Sequence, residues 1–504
     1  MVSIFDNEGS PSGAPNDLRT WIDLLRSEGE LVEVNAEVDP YLEITEIADR
    51  TVRGGGPALL FQNPKGSGHP LLINQFGTER RMCLAFGEPS LDKVARKFEE
   101  FVVGRRSHGE PSFRELAQMK RFMDTLPKLV DRAPSQEIVL EPDLDRLPIQ
   151  HCWPGDAAPF ITLPAVITKD PRTGVRNVGI YRMQKIDART TFMHWQIHKD
   201  GAADWRGMND SLDVAVALGC DPVTTFVGSA PLPRNLDEFA VAGYLKGSSV
   251  RLVKAKTIEL EVPADAEIVL EGFIRKGELG DEGPFGDHTG YYSPQEQFPV
   301  LHLTCMTMRR DAIYPSIVVG HPPAEDALLA KAVERLFLPL LRMSIPEVVD
   351  YDLPVAGAFQ NCAIVSIRKA YPGQARKVMH AIWGHGLLSL LKSVIIVDDI
   401  VNVHDYYEVF FHVCANVDPK RDILIDEGPL DQLDHAALRH CYGGKLGIDG
   451  THKWPAEGGR KWPERIEMSA EIHDLVDQRW SEYGIGTLTG REPRRSGQTK
   501  LKLF

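Results

Sequence analysis

The sequence lacks the cysteine pattern of a disulfide-bonded or zinc-binding protein. Its seven cysteines are scattered, none forms a CxxC pair, and their number is odd. Such spacing is typical of reduced, mostly buried thiols, and it excludes a zinc knuckle. The sequence also lacks a run of the ~20 apolar residues that a membrane span requires. Its N-terminus has no basic start followed by an apolar stretch. We therefore expect no membrane segment and no signal peptide, and a cytoplasmic location.

The motifs of several common enzyme classes are missing as well. There is no GxxxxGK[ST], HExxH, GxSxG or GxGxxG motif, which disfavours P-loop NTPases, zincins, α/β-hydrolases and Rossmann enzymes. Acidic residues outnumber basic ones, 71 to 57, and the net charge of −14 argues against binding to nucleic acid or an anionic membrane. The hydrophobic content of 43% is ordinary for a globular protein. A prior of roughly 150 residues per domain predicts about three domains.

The pattern of residues changes three times along the chain. Residues 1–125 alternate helix-like and strand-like segments and are predicted to form an α/β domain. Residues 126–322 contain short runs of β-branched and aromatic residues separated by turns, which is typical of a barrel or sandwich, with one clear helix at 236–247. Residues 323–345 are predicted to form an amphipathic linker helix, and residues 346–504 return to βα alternation and end in a basic tail.

One turn-like segment, GELGDEGPFGDHTGYY, carries two carboxylates, Glu282 and Asp287, between glycines and a proline. Glycine and proline mark a bend, but the phenylalanine and two tyrosines are apolar for a surface turn. Two carboxylates held close together repel each other, so one of them is expected to hold a proton near neutral pH while a nearby arginine stabilises the other. With Arg182 they would form an acid/base relay beside a guanidinium that binds carboxylates. A turn with solvated acids is the alternative.

Arg182 lies in the strand-like segment RNVGIYRMQ, which also contains Asn177. An arginine can bind a carboxylate through two parallel hydrogen bonds, although a structural ion pair is the alternative. A regular strand would place Asn177 and Arg182 on opposite faces, because side chains alternate with a period of two. A bulge, or a position of Asn177 at the strand entrance, is therefore needed if both residues line one site.

The segment TTFMHWQIHKDG alternates apolar and polar residues. As a strand it would place Met193, Trp195 and Ile197 on one face, and the polar side chains on the other. The polar residues are His194, Gln196 and His198. Such a polar wall inside a barrel could hold a metal or an anionic ligand, and a solvent-facing row or a helix with paired histidines are the alternatives.

Glu238 begins the helix predicted at 236–247. An acidic residue in a first turn complements the helix dipole. Alternatively, its carboxylate combines with Asn177 and a histidine into a set of oxygen and nitrogen ligands suited to Mn²⁺ or Mg²⁺. Both interpretations remain open at this point.

Six segments, in order and at domain-scale spacing, are DPYLEITEIADRTVRGGGPALLF, NVGIYRMQ, MHWQIHKDG, VPADAEIVLEG, EGPFGDHTGYY and VIIVDDIVNVHD. Together they resemble the UbiD family of prenylated-flavin-dependent decarboxylases, over nearly the whole chain. The resemblance implies an N-terminal α/β domain and a central split β-barrel that binds the flavin. It also implies a C-terminal α/β domain whose last segment is exchanged in a homodimer, and either this homodimer or a homohexamer as the assembly.

The resemblance also implies cofactors and site residues. The family uses prenylated flavin mononucleotide (prFMN), supplied by a separate flavin prenyltransferase, with its phosphate held through Mn²⁺ (or Mg²⁺) and often K⁺. Arg182, Glu282 and Asp287 match the catalytic network, in which Asp287 is the proton donor. The matched metal ligands are Asn177, Glu238 and, as the third ligand, His194. The matched cofactor-contacting positions are Asn177, Ile180, Tyr181, Arg182, His194, Trp195, Gln196, Lys199, Asp200 and Glu238.

The implied activity is a reversible, non-oxidative decarboxylation of an aromatic carboxylic acid. The segment MHWQIHK carries a histidine where the polyprenyl-substrate enzymes have arginine, and so resembles the branch that acts on small hydroxybenzoates. His435 and His321 are candidates for lining the substrate pocket. A polyprenyl-hydroxybenzoate of quinone biosynthesis, or a heteroaromatic or polycyclic acid, is the alternative substrate. A flavin-dependent redox enzyme and a non-catalytic assembly subunit are the rival classes, and retention of Arg182, Glu282 and Asp287 disfavours the second.

Overall fold

The computed structural model describes residues 13–103, 120–234, 236–458 and 461–485. The chain divides into two compact units, Met1–Pro339 and Leu340–Phe504. The basic tail expected at the C-terminus lies outside the described residues. Among the residues described, no helix is both long and apolar enough to cross a bilayer.

The first unit contains most of the strands. They are β1 (Leu31–Val38), β2 (Ala58–Pro64), β3 (Leu71–Ile73), β4 (Lys128–Leu129), β5 (Ile138–Leu140), β6 (Phe160–Ile161), β7 (Ala165–Lys169), β8 (Arg176–Ile180), β9 (Met183–Lys185), β10 (Thr190–Met193), β11 (Ser211–Leu218), β12 (Arg251–Lys254), β13 (Glu261–Pro263), β14 (Ile268–Glu282), β15 (Phe285–Gly286), β16 (Tyr292–Ser293), β17 (Glu296–Met308) and β18 (Tyr314–Pro315). Its helices include α1 (Leu18–Ser27), α2 (Glu43–Arg53), α3 (Glu79–Phe86), α4 (Leu91–Val103), α5 (Asp200–Gly207), α6 (Pro222–Val227), α7 (Glu238–Lys246) and α8 (Glu325–Ser344). Helix α8 continues past Pro339 into the second unit.

The N-terminal part of the first unit is a four-stranded sheet with helices, in the order β1-β2-β3-β18. In helix α1 the Asp17 side chain accepts a hydrogen bond from Thr20 N–H, and one apolar face is buried. The mixture of helices and strands predicted for this segment is therefore confirmed.

The central part of the first unit is built on a nine-stranded sheet shaped as a half-barrel. Its strand order is β6-β9-β10-β17-β14-β11-β7-β8, and β5 pairs with β17. The core beneath the sheet is formed by buried aliphatic, methionine and aromatic side chains. Helix α7, at the position predicted for 236–247, is buried on every side.

Two local departures from the predicted strands position the site. Strand β8 ends at Ile180 and β9 begins at Met183, so Tyr181 and Arg182 form a break. This break is the irregularity that the spacing of Asn177 and Arg182 required. Strand β10 ends at Met193, because it pairs with β9 only as far as Met183 and has no partner strand beyond it. The prediction of one strand face shared by His194, Gln196 and His198 is therefore wrong.

The second unit is a five-stranded sheet with helices. Its strands are β19 (Val348–Asp352), β20 (Cys362–Ile367), β21 (Ser393–Asp398), β22 (Ile423–Pro429) and β23 (Tyr442–Asp449), in the order β19-β20-β21-β23-β22. Its α-helices are α9 (Gln374–Trp383), α10 (Tyr406–Asn416), α11 (Pro419–Asp422), α12 (Pro455–Gly458) and α13 (Ala470–Arg479). Strands β20, β21 and β23 are parallel, as the predicted βα alternation requires.

All seven cysteines fall among the described residues and all are free thiols. Cys152, Cys220 and Cys305 are buried, whereas Cys414 is exposed and the other three are partly exposed. The prediction of unpaired thiols is confirmed, and the prediction of mostly buried ones holds for fewer than half of them.

Candidate active site

Arg182 is the centre of a buried ionic cluster in the first unit. Its Nε donates to Glu282 Oε1 at 2.7 Å, and its Nη2 donates to Glu282 Oε2 at 3.1 Å. Its Nη1 donates to Asp287 Oδ2 at 2.5 Å, and Nη2 also donates to Ser293 Oγ at 3.0 Å. Four of its five N–H donors are thus used within the described part of the chain, and one donor on Nη1 is left for a ligand.

The break between β8 and β9 brings the guanidinium to the end of the long strand β14. Glu282 is the last residue of β14, and Asp287 lies in the following turn. We call residues 282–293 the acid loop. The ring of Phe285 packs under the guanidinium, with 4.5 Å from Arg182 Cζ to the ring centroid. The side chains of Arg182, Glu282 and Asp287 are 9%, 0% and 6% exposed, so the cluster is shielded from water.

The acid loop is held by side chains from distant parts of the sequence. Gly283 N–H donates to Gln184 Oε1 at 2.7 Å, and Gly286 N–H donates to Asp156 Oδ1 at 2.7 Å. A Cβ at Gly286 would lie 2.2 Å from Trp153 Cδ1, so only glycine fits there. Gly283 has a φ of +92°, which side-chain-bearing residues rarely adopt. The glycines predicted to bend the chain therefore also allow close packing of the loop.

The two carboxylates differ from the sequence-based expectation in their protonation. Burial by itself would raise the pKa of Glu282, but the charge of Arg182 and a hydrogen bond from His194 lower it to about 2. Burial would also raise the pKa of Asp287, but His288 and Arg182 hold it well below its usual range. The expectation that one acid keeps a proton near neutral pH is wrong for the cluster as it stands, because the guanidinium lies between the two carboxylates and neutralises their repulsion.

His288 is a part of the site that sequence reasoning missed. Its Nδ1 lies 2.7 Å from Asp287 Oδ1, and its backbone N–H donates to the same oxygen at 2.8 Å. A carboxylate can only accept, so Nδ1 carries the proton of this hydrogen bond. The position directly after the candidate proton donor was the available signal. Ser293, Gln184 and Asp156 were missed as well, since they lie on separate strands or loops.

Asp156→Ala is expected to disorder the acid loop. Asp156 is buried and accepts the N–H groups of Gly286 and, at 2.9 Å, Trp153. Its loss leaves one buried and one partly buried N–H without this acceptor, which should lower the free energy of unfolding by about 1–3 kcal/mol. Urea unfolding and CO2 release measure the two effects. Asp156→Asn, which keeps an acceptor oxygen, should be milder; equal damage from both variants would contradict this role.

A second group of polar residues surrounds β8, α5 and α7. The Asn177 amide donates to Thr168 Oγ1 at 3.2 Å, and the Glu238 carboxylate faces the backbone N–H of Val178. Burial, with the nearby charges of Asp237 and Asp200, raises the pKa of Glu238 to about 8. Burial also raises the pKa of Asp200. A buried carboxylate flanked by two further acids is the environment that a bound cation would stabilise.

Several polar atoms of the predicted cofactor residues are buried without a hydrogen-bond partner among the described residues. They are His194 Nε2, Trp195 Nε1 and Glu238 Oε2. Buried polar atoms are nearly always satisfied, so exceptions indicate a ligand or ordered water. The unpaired atoms of this chain therefore fit a polar cofactor and a metal ion.

His194 belongs by its contacts to the Arg182 cluster. Its Nδ1 lies 3.1 Å from Glu282 Oε2, and its ring packs on Phe298 at 4.2 Å between centroids. Burial and the charge of Arg182 lower the pKa of His194, which keeps the imidazole neutral. Nε2 is thus the nitrogen that remains to bind a metal or cofactor.

The other predicted cofactor residues lie at the end of β8 and in the segment that leads into α5. The hydroxyl oxygen of Tyr181 accepts a hydrogen bond from Gly201 N–H at 3.2 Å, and burial raises the pKa of Tyr181 to about 12. Ile180 N–H donates to Gly228 O at 2.8 Å. Lys199 precedes α5 and Asp200 begins it, and Gln196 lies in the turn before them, with its O accepting from Lys199 N–H.

The two candidate substrate residues belong to different units. His321 lies against the acid loop: a Cβ at Gly290 would be 3.2 Å from His321 Cδ2. His321 is exposed, and its backbone oxygen accepts from Arg53 Nη2 at 2.7 Å. His435 is an exposed residue of the second unit, in the loop between β22 and β23.

Comparison with known proteins shows the family. Three domains of 3-octaprenyl-4-hydroxybenzoate carboxy-lyase (UbiD) match in order: the N-terminal domain over residues 22–100, the Rift-related domain over 128–322 and the C-terminal domain over 327–450. The chain belongs to the UbiD family. The predicted family, fold class and carboxy-lyase activity are therefore confirmed.

Relatives extend the UbiD likeness over most of the chain. An uncharacterised protein of Archaeoglobus fulgidus is 51% identical over 475 residues, which cover 93% of this chain and 98% of that protein. The UbiD-class enzyme HmfF of Pelotomaculum thermopropionicum, solved in complex with FMN, is 29% identical, with a TM-score of 0.75 over 92% of this chain and 99% of that one. An evolved dimeric form of HmfF in complex with prFMN is 28% identical, with a TM-score of 0.72 over 91% and 98%.

A vanillic acid decarboxylase is also similar in structure. The vanillic acid decarboxylase of Sedimentibacter hydroxybenzoicus, in its open form, is 25% identical and has a TM-score of 0.75. The match covers 94% of this chain and 100% of that one. The UbiD-class neighbours thus include a flavin complex and an aromatic acid decarboxylase.

Proposed function

We propose that the protein is a prFMN-dependent decarboxylase that reversibly removes CO2 from a hydroxybenzoate-type aromatic acid. The observation that carries this proposal is the Arg182 guanidinium held between the buried carboxylates of Glu282 and Asp287, with one N–H donor left over. A guanidinium in a dry site binds a substrate carboxylate strongly and specifically. Acids on both sides of it can move a proton at the atom that loses CO2.

Asn177, Glu238 and His194 would hold Mn²⁺, or Mg²⁺ in its place, at the phosphate of the cofactor. Their support is the unpaired Glu238 Oε2 and His194 Nε2, together with the ligand chemistry of amide, carboxylate and imidazole. The flavin would contact Trp195, whose Nε1 is unpaired, and also Tyr181, Gln196 and Lys199. K⁺ would be bound as a further ion. When bound, prFMN supplies the electron sink that lets a ring carbon lose CO2.

The residues of the chain bind the substrate and handle its proton. Arg182 would orient the substrate carboxylate through its free Nη1 donor, and Glu282 keeps the guanidinium plane fixed through two hydrogen bonds. The buried surroundings exclude water from the carbon that loses CO2. A bound substrate carboxylate adds a negative charge beside Asp287. It also shares the positive charge of Arg182, which then stabilises the Asp287 carboxylate less. Both effects raise the pKa of Asp287 toward the range of a proton donor. Asp287 takes up a proton as its pKa rises, delivers it to the carbon that lost CO2 and returns to the carboxylate.

A small hydroxylated benzoate is the substrate class we propose. The segment MHWQIHK, the candidate residue His321 beside the acid loop, and the likeness to a vanillic acid decarboxylase support it. We further propose a homodimer. Exposed aromatic side chains on α10, among them Phe410 and Phe411, and exposed apolar residues near 466–485 support it, since large exposed apolar patches mark interaction sites.

Glu238→Gln is expected to weaken metal and flavin binding without unfolding the protein. The substitution keeps the shape of the side chain but removes the carboxylate that we assign to the metal. We expect the affinity for Mn²⁺ to fall by roughly 10- to 100-fold, measured by Mn²⁺ electron paramagnetic resonance titration and by the flavin retained on purification. Glu259→Gln removes an exposed acid of the same unit and should leave both unchanged. Wild-type Mn²⁺ affinity in Glu238→Gln would contradict the assignment.

The proposed function is tested on protein produced anaerobically with and without a flavin prenyltransferase. The bound flavin is identified by mass spectrometry and absorbance, and CO2 release is followed for hydroxylated, polyprenylated and heteroaromatic acids. The proposal predicts a prenylated flavin and turnover of a small hydroxybenzoate only in the co-produced protein. Plain FMN reduced by a nicotinamide donor would favour a redox enzyme, and absence of turnover by protein loaded with prFMN would favour an assembly subunit.

A further inference from the structure

A chain of hydrogen bonds leads from the proposed metal ligand Asn177 into the protein. Strands β7 and β8 are antiparallel, and their register places Thr168 directly opposite Asn177. Thr168 Oγ1 lies 3.2 Å from Asn177 Nδ2 and 2.7 Å from Oδ2 of Asp204, a residue of α5. All three residues are buried. A buried polar chain of this kind fixes the orientation of each side chain in it.

Arg234 forms the outer end of this chain. Its Nη2 donates to Asp204 Oδ1 and, at 3.2 Å, to Asp170 Oδ2. Arg234 precedes α7, the helix that begins with Glu238. The two Asp204 oxygens thus have separate partners, since Oδ1 accepts from Arg234 while Oδ2 faces Thr168. Burial raises the pKa of Asp204, but the hydrogen bond from Thr168 and the charge of Arg234 oppose that rise, and both favour the ionised carboxylate.

The direction of these hydrogen bonds determines which way the Asn177 amide points. A carboxylate can only accept, so the single hydroxyl proton of Thr168 is donated to Asp204 Oδ2. Thr168 Oγ1 is then an acceptor for Asn177, and the amide atom that faces it must be Nδ2. The carbonyl oxygen Oδ1 is consequently the atom that remains for a metal ion, and oxygen is the amide atom that binds Mn²⁺ or Mg²⁺.

We propose that Thr168 and Asp204 are positioning residues for the metal, because they turn the Asn177 amide so that Oδ1 and not Nδ2 faces the ion. The inference rests on the proposed decarboxylase function, which assigns Asn177 to the metal at the cofactor phosphate. Side chains behind a metal ligand orient it, and their loss typically weakens metal binding by roughly 10- to 100-fold. Without this chain the amide can present its NH2 group, which is a donor and repels a cation.

Asp204→Asn is expected to turn the Asn177 amide over while it keeps the shape of the side chain. The new side chain has one oxygen, and this oxygen must face Arg234, which can only donate. Its NH2 group then donates to Thr168 Oγ1, so the Thr168 proton passes to Asn177 Oδ1 and Nδ2 faces the metal instead. We expect the affinity for Mn²⁺ in the presence of FMN to fall by roughly 10- to 100-fold.

Asp170→Asn is the matched control. Asp170 is buried and accepts from the same Nη2 of Arg234, but its other side-chain partner among the described residues is Arg172 and not Thr168. This substitution therefore removes an equal charge beside the same arginine and should keep the wild-type affinity for Mn²⁺. Thr168→Val, which removes the hydroxyl at nearly the same volume, should lose affinity as Asp204→Asn does. Thr168→Ser keeps the hydroxyl and should bind Mn²⁺ as the wild type does.

The measurement is a Mn²⁺ electron paramagnetic resonance titration with FMN present, and it needs no turnover. Wild-type affinity in Asp204→Asn would overturn the inference, as would an equal loss in Asp170→Asn or a wild-type protein that binds no Mn²⁺ with FMN. Melting temperatures show which variants fold, and if Thr168→Val does not, Asp204→Asn against Asp170→Asn decides alone. If the wild type loaded with prFMN turns over no aromatic acid, the proposed function fails, and the Mn²⁺ affinities still decide how Asn177 is oriented.

Discussion

Asp287→Asn is expected to lower kcat for CO2 release by roughly 10²- to 10⁴-fold, the usual contribution of a positioned general acid. The amide can still accept from His288 and occupy the same space, but it cannot deliver a proton to the carbon that loses CO2. Flavin content and the melting temperature should stay close to those of the wild type. Stopped-flow absorbance and CO2 release by the flavin-loaded variant measure the effect.

The control for this prediction is Asp281→Asn, which removes an exposed acid at the edge of the same loop and should leave the rate unchanged. Glu282→Gln should also be strongly impaired, because the Arg182 fork then loses its ionic partner. Near-normal CO2 release by Asp287→Asn would remove the proton-donor assignment. A loss of flavin together with activity would instead indicate a structural role.

Arg182→Met is expected both to abolish turnover and to destabilise the protein. It removes the group assigned to the substrate carboxylate and leaves two buried carboxylates unpaired. Removing one partner of a buried ion pair typically costs about 3–5 kcal/mol in the free energy of unfolding. Urea unfolding and CO2 release give the two results. Arg189→Met, which removes an arginine that is 60% exposed, is the control and should change neither.

The pH dependence of stability separates Arg182→Met from the wild type. In the wild type the folded-state pKa of Glu282 is lowered to about 2 and that of Asp287 is lowered as well. Their stabilisation is therefore present above the unfolded pKa values near 4 and is lost as the pH falls towards 2. Arg182 is the largest cause that lowers the pKa of Glu282; without the guanidinium, burial raises this pKa, so the variant should lose stability as the pH rises towards neutral. Parallel pH profiles of the two proteins would contradict the ionic cluster.

The local features of the site could be predicted from the sequence. Amphipathic spacing predicts α1, and the apolar run at 236–247 predicts α7, since both helices depend on neighbouring residues. The glycine, proline and acidic residues of 282–293 predict a turn whose carboxylates take part in catalysis. The resemblance to UbiD enzymes predicts that Arg182 lies beside this turn, although about a hundred positions separate them in the sequence. Periodicity alone does not predict that contact.

Other features depend on pairing partners that no local pattern encodes. Strand β10 stops at Met193 because β9 begins at Met183, so the alternation around His194 continues in the sequence but not in the sheet. The protonation of Glu282 and Asp287 depends on a guanidinium from another strand. Asp156 acts on the acid loop through a hydrogen bond formed only by the folded chain.

The decisive measurement is a turnover of a carboxyl-¹³C-labelled hydroxybenzoate in D2O by the protein loaded with prFMN. The proposed function predicts one ¹³CO2 for each acid consumed and one deuterium at the carbon that lost it, with both signals lost in Asp287→Asn. Consumption of the acid without ¹³CO2, or no consumption of any aromatic acid by the fully loaded protein, would contradict it.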